Sequence, residues 1–81
     1  MNPVPNFTSR IHDPFMAAFR RTRNRPTGIE VPFHWRLAMQ RDPHWCAWAD
    51  WHIKKQAWFL FDVEIIFCPH LSTRAVPIWD N

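Results

Sequence analysis

The residues best suited to chemistry are two cysteines and the histidines near them: His44-x-Cys46, His52 and Cys68-x-His70. These are acceptable zinc-ligand types, and a tetrahedral set of two cysteines and two histidines can be drawn from them. The spacing argues against it. Structural zinc sites pair ligands two to four residues apart across a turn, whereas Cys46 falls in a predicted helix, where residues i and i+2 point apart. A small zinc module is therefore a minor reading, and no metal ligand is assigned. Buried cysteines behaving as small hydrophobes and surface histidines explain the same residues.

Nucleophilic catalysis would need Cys46 or Cys68 beside a histidine and an orienting acid. Cys68, His70 and either Asp62 or Glu64 supply the residue types. Nothing supplies a glycine-bordered nucleophile turn or a phosphate-cradling loop, since the chain has one glycine in 81 residues. No catalytic residue and no cofactor is expected. Asp62 and Glu64 read equally well as a solvated strand edge.

What the chain does hold is aromatic and cationic. Six tryptophans and seven phenylalanines stand against three leucines, six isoleucines and four valines, with no tyrosine. So short a chain buries only about 60% of its unfolded surface, so the rings exceed the expected interior. Exposed aromatic surface marks interaction sites, and Trp with Arg is the enriched composition of interface hot spots. The expected partner-binding residues are Trp45, Trp48, Trp51, Trp58 and Trp79, with Arg20, Arg21 and Arg23. The net charge of +3 is uneven. Arg10, Arg20, Arg21, Arg23 and Arg25 crowd residues 10–25 against Asp13 alone, a block suited to an acidic protein, nucleic acid or an anionic membrane face.

The elements that must position these residues read as mainly helical. Pro3 and Pro5 predict an extended arm over 1–12. Asp13-Pro14 signals a helix start, and Phe15, Met16 and Phe19 form its stripe, so a helix is expected over about 14–23. Pro26, Gly28 and Pro32 make 24–32 a connector. Phe33/Leu37 and Trp35/Met39 predict a short helix over 33–41. Asp42-Pro43 repeats the first start, with Trp45, Trp48, Ala49 and His52 on one helix face and Trp51, Lys55 and Trp58 on another; Asp50 and Lys54 form an i, i+4 pair. Residues 58–67 alternate like a strand but also fit a continuation of the helix stopping before Pro69. Enrichment in β-branched and aromatic residues favours the strand, and a lone strand implies pairing with another chain. Pro69 and Pro77 leave 69–81 an extended tail. The expected architecture is two or three short helices in a body at 13–68, with proline-rich arms and a lone strand at 58–67, all in a single small domain.

Two cysteines are too few for a disulfide scaffold, and residues 1–25 have no continuous apolar core of a secretory signal. Free intracellular thiols are the expectation. No stretch reaches the roughly 18 apolar residues of a membrane span. Residues 7–25, Arg-rich and amphipathic, also have the character of a mitochondrial transit peptide, although a partner-facing basic helix is preferred. The leading functional reading is a non-catalytic accessory subunit or adaptor, or a small inhibitor, docking on a larger protein or multisubunit complex that can be membrane-peripheral. The alternative is a basic aromatic nucleic-acid-binding protein. That alternative lacks interleaving, because the arginine block and the tryptophans occupy different segments and no known motif is present.

Overall fold

The first helix starts well before the Asp13-Pro14 signal. In the computed structural model, which describes residues 6–71 and 73–79, α1 spans Phe7–Thr22. Asn6 caps it: its side-chain oxygen accepts from the Ser9 N–H at 2.8 Å, satisfying an orphan donor of the first turn. Pro14 then lies inside the helix, at a typical cost of ~3 kcal/mol. Phe7, Ile11, Phe15 and Ala18 form a stripe at helical spacing, and the last three are buried. Each large side chain so buried contributes about 1.5–3 kcal/mol, which offsets the proline. The helix ends at Arg23, whose φ of 59° is left-handed and whose N–H bonds the Phe19 carbonyl at 2.8 Å. Residues 7–12 are therefore helical, not an extended arm; residues 1–5 of that expected arm lie outside the described residues.

The remainder overturns the mainly helical expectation. Two further helices, α2 (Trp35–Gln40) and α3 (Pro43–Trp48), are short, and five strands form one mixed sheet. The predicted connector contains β1 (Gly28–Pro32), which pairs in parallel with β4 (Val63–Cys68) and antiparallel with β5 (Val76–Ile78). Ile29 and Val31 are buried there, so this central strand is fixed by tertiary burial. Its Gly and Pro boundaries resemble loop punctuation, and its apolar alternation is too short to outweigh them.

Asp42 does cap α3, accepting from the His44 N–H at 3.0 Å, with Pro43 in the first turn. The helix stops at Trp48, Ala49 turns extended, and β2 (Asp50–His52) follows. The two predicted helix faces through His52 and Trp58 do not exist, and Asp50 and Lys54 are not a helical pair. The expected lone strand is instead a hairpin, β3 (Ala57–Leu60) and β4, turning at Phe61-Asp62 with φ of 52° and 64°. Its mate lies in the same segment, so no second chain is needed to complete it. Two positive φ values match a two-residue primed turn, which usually carries Asn or Gly; Phe-Asp hid it.

The strand order is β2-β3-β4-β1-β5. The predicted extended tail therefore ends as an edge strand, and Pro77 within it blunts that edge. α1 packs on β1 and β5, and α2 on β1, covering one face of the sheet. The core gathers Ile11, Phe15, Trp35, Met39 and Trp45 from the helices against Ile29, Val31, Leu60, Val63 and Ile65. By strand alternation the opposite face carries Glu30, Glu64, Ile66, Cys68 and Ile78. No helix among the described residues is long and apolar enough to cross a membrane.

Candidate docking site

Five side chains from α1, α3 and the hairpin turn close a circuit on the surface. Thr8 Oγ1 lies 3.2 Å from His44 Nδ1. The His44 and Trp48 rings are 6.3 Å apart, and Trp48 meets Phe61 edge to face at 6.5 Å. Phe61 in turn meets His12 edge to face at 6.0 Å. His12 and Thr8 sit one turn apart on α1, which completes the loop. Edge-to-face pairs of this kind are worth about 0.5–1.5 kcal/mol beyond area burial, so the rings fix one another in place.

The circuit is held yet open to solvent. Trp48 is 54% exposed and Phe61 49%. Together they leave on the order of 200 Å² of ring surface in water, or about 5 kcal/mol of transfer free energy awaiting a partner. Arg25 steadies the turn: its Nη2 donates to the Phe61 carbonyl, while its guanidinium carbon lies 5.9 Å from the Phe15 ring centroid. Phe19, in edge contact with Phe15 at 6.3 Å, extends the apolar surface along α1.

Phe61 is the unusual member. A left-handed φ costs a residue with a Cβ roughly 1–2 kcal/mol, and a bulky ring is among the least suited to it. Asp62, the other left-handed residue of the turn, is a tolerated type there. A strained backbone position occupied by an exposed ring is the kind of outlier from which function is reasonably inferred.

The expected anchors separate by depth. Trp45 is 0% exposed and belongs to the core, its indole N–H without a hydrogen-bond partner among the described residues; it presents nothing to a partner. Trp58 is half-buried between Trp45 and Trp51, in edge contact with both. Trp51 is 42% exposed and, with Trp58, Arg36 and Lys55, lines a separate cleft of about 330 Å³. Trp79 uses its indole N–H internally, donating to the Asn24 carbonyl at 2.7 Å, and so staples the final strand to the loop after α1. Arg20, Arg21 and Arg23 are exposed. Of the expected residues only Trp48 joins the circuit. Thr8, His12 and Phe61 were missed, His44 was read only among the zinc-ligand types and Arg25 only in the basic block. The strand alternation runs unbroken through Phe61-Asp62, so no sequence signal marked the turn.

The residues singled out for chemistry are dispersed. His44 belongs to the circuit, His52 stacks on Phe59 at 4.0 Å, and Cys46 is exposed with its thiol directed at the Met39 and Gln40 carbonyls. Only Cys68 and His70 come together, with Sγ 3.2 Å from Nε2 and 3.6 Å from Glu30 Oε2. Burial first, and then the Glu30 carboxylate, push the Cys68 thiol above its ordinary pKa. The acid contacts the sulfur, whereas a catalytic cysteine needs a depressed pKa and an acid that orients the histidine. Among the described residues no three of His, Cys, Asp and Glu gather as a metal site. Compared with protein-family models, curated proteins and solved structures, the chain has no significant match.

Proposed function

We propose that this protein is a non-catalytic docking module, an accessory subunit or adaptor that holds a larger protein assembly through the Trp48–Phe61 circuit. The observation that carries the reading is Phe61: a half-exposed ring kept at a left-handed turn position and locked against Trp48 and His12. Solubility and folding both favour Asn or Gly at that position, so a demand from outside the fold explains the phenylalanine better than one from inside. Pre-fixed aromatic side chains also lose little entropy on binding, which suits a hot spot. A small inhibitor that covers a larger protein uses the same surface physics and belongs to the same class.

A photoreactive phenylalanine analogue at position 61, irradiated in an extract of the native host, tests the reading. The expected result is one dominant crosslinked protein, lost when Trp48→Ala is added and retained with Arg41→Ala. A pattern indifferent to Trp48→Ala overturns it.

A further inference from the structure

On the other side of α1 lies a groove of different chemistry. Arg10, Pro14, Ala17 and Arg21 recur at i, i+4, i+7 and i+11, one stripe of the helix. Small residues at its middle leave a recess, and the segment from Thr73 to Pro77 forms the opposite wall. The recess comprises adjoining cavities of about 510 Å³ and about 360 Å³, with Arg10, Ser9, Thr73 and Trp35 lining the first and Arg21, Ala17 and Val76 the second. Pro14 and Arg74 line both. Arg10 is held in place by its guanidinium over the Phe7 and Trp35 rings, at 5.3 and 5.5 Å.

Among the described residues no acid is paired with these guanidinium groups. Among the described residues the one contact between a basic and an acidic side chain is His12 with Asp13. Among the described residues Asp13, which lines the first cavity, is the only acid in the recess, so three arginines face one carboxylate with no ion pair between them. Unpaired arginines on both walls and at both ends call for an occupant with repeated negative charge.

We propose that this groove binds the phosphodiester backbone of a single-stranded nucleic acid. Arg10 and Arg21 are separated by ~16 Å of helix, about the length of five stacked nucleotides at ~3.4 Å each. Regularly repeated monoanions match such a stripe whatever the base sequence, whereas an acidic peptide would need its carboxylates placed to fit. The Ser9 and Thr73 hydroxyls add neutral donors of the kind that share phosphate contacts with arginine. A recess between a helix and an extended segment admits one strand, while a duplex is read by an element that projects into its groove. This proposal stands on a different surface from the docking circuit and does not depend on it.

Fluorescence anisotropy of a labelled ten-residue oligothymidylate with the full chain tests it. Three phosphate contacts on a single strand give a slope of about −2 in log K against log salt, so affinity should fall about 20-fold between 50 and 200 mM. Arg74→Ala should lower the slope by ~0.7, shrinking that loss to about sevenfold, and Arg74→Glu should abolish binding. Arg41→Ala, outside the groove, should match the parent. Unchanged circular dichroism establishes that Arg74→Ala and Arg74→Glu remain folded. The proposal is overturned by no binding at 50 mM salt, by a slope indifferent to Arg74→Ala, or by an equal effect of Arg41→Ala. It is also overturned if a ten-residue aspartate peptide displaces the oligonucleotide at equal concentration, which would make the groove a site for acidic protein segments.

Discussion

The two sides of α1 solve the same problem, presenting unsatisfied groups to solvent, in opposite ways. On one side Thr8 and His12 join His44, Trp48 and Phe61 in mutual contact, and the backbone is strained to complete the set. On the other, Arg10, Arg21 and Arg74 line a recess and pair with no acid among the described residues. A surface built from rings in contact has one shape and suits a partner of matching shape. A surface of spaced cations suits a partner defined by charge spacing. The first should be insensitive to salt and the second steeply dependent on it.

The largest expected effect separates the indoles that build this platform from those that are displayed on it. Trp45→Ala empties a fully buried site and should cost about 3–5 kcal/mol, lowering Tm by on the order of 15 °C or more in a domain of this size. Trp48→Ala should change stability by under about 1 kcal/mol while removing the crosslink at position 61. Urea denaturation of the pair checks it. Comparable destabilisation by both would show that Trp48 is part of the core, and the contrast between the two sides would dissolve.

The arginine side was legible before any fold was known only as a block of charge, and the aromatic circuit not at all. Arg10 was expected in an extended arm and shares a helical stripe with Arg21 only because Asn6 rather than Asp13 begins the helix, and Arg74 joined them when β5 returned along α1. The circuit draws on positions 8, 12, 44, 48 and 61, which meet only because α3 ends at Trp48 and the hairpin reverses at Phe61. Both events run against local signals. The helical spacing of Ala49, Trp51, His52 and Lys55 after Trp48 reads as more helix, and Phe-Asp does not read as a primed turn. The central strand β1 was hidden for a related reason: Gly28 and Pro32 look like loop punctuation, yet Gly28 is small because the Ile78 and Ile66 side chains approach within 3.2 and 3.4 Å of where a Cβ would stand. What could be read was the surplus of rings, and the structure leaves Trp48, Trp51 and Phe61 exposed accordingly.

A substitution at the turn sharpens the comparison next. Phe61→Asn should recover roughly 1–2 kcal/mol of backbone strain and lose about as much in ring contacts with His12 and Trp48. Stability is expected to stay within about 1 kcal/mol of the parent, while capture through a photoreactive group at Trp48 is lost. A large destabilisation would make Phe61 a structural residue and remove the main support for the docking reading. Arg25→Ala has a smaller expected effect. It deletes one hydrogen bond to the Phe61 carbonyl, worth about 0.5–1.5 kcal/mol, and should weaken capture without altering the salt slope for oligonucleotide. A change in that slope would mean that the two sides of α1 are one surface.

The smallest effect concerns the open face of the sheet, where chemistry would break the contrast between two binding surfaces altogether. Cys68 touches His70 and Glu30, and burial together with the Glu30 charge raises its pKa. A raised thiol pKa means that the fold favours the neutral form. The stability gained this way is complete below the pH at which an unfolded cysteine ionises, and it is lost as pH climbs through the higher folded value. Cys68→Ala should therefore flatten the alkaline limb of the stability profile and leave the neutral limb's slope alone. With iodoacetamide at pH 8, site-resolved mass spectrometry should find Cys68 reacting more slowly than free cysteine, because the thiolate is the nucleophile. Faster reaction, with a rate already level below neutral pH, would require a stabilised thiolate beside His70 and would bring the nucleophilic reading back.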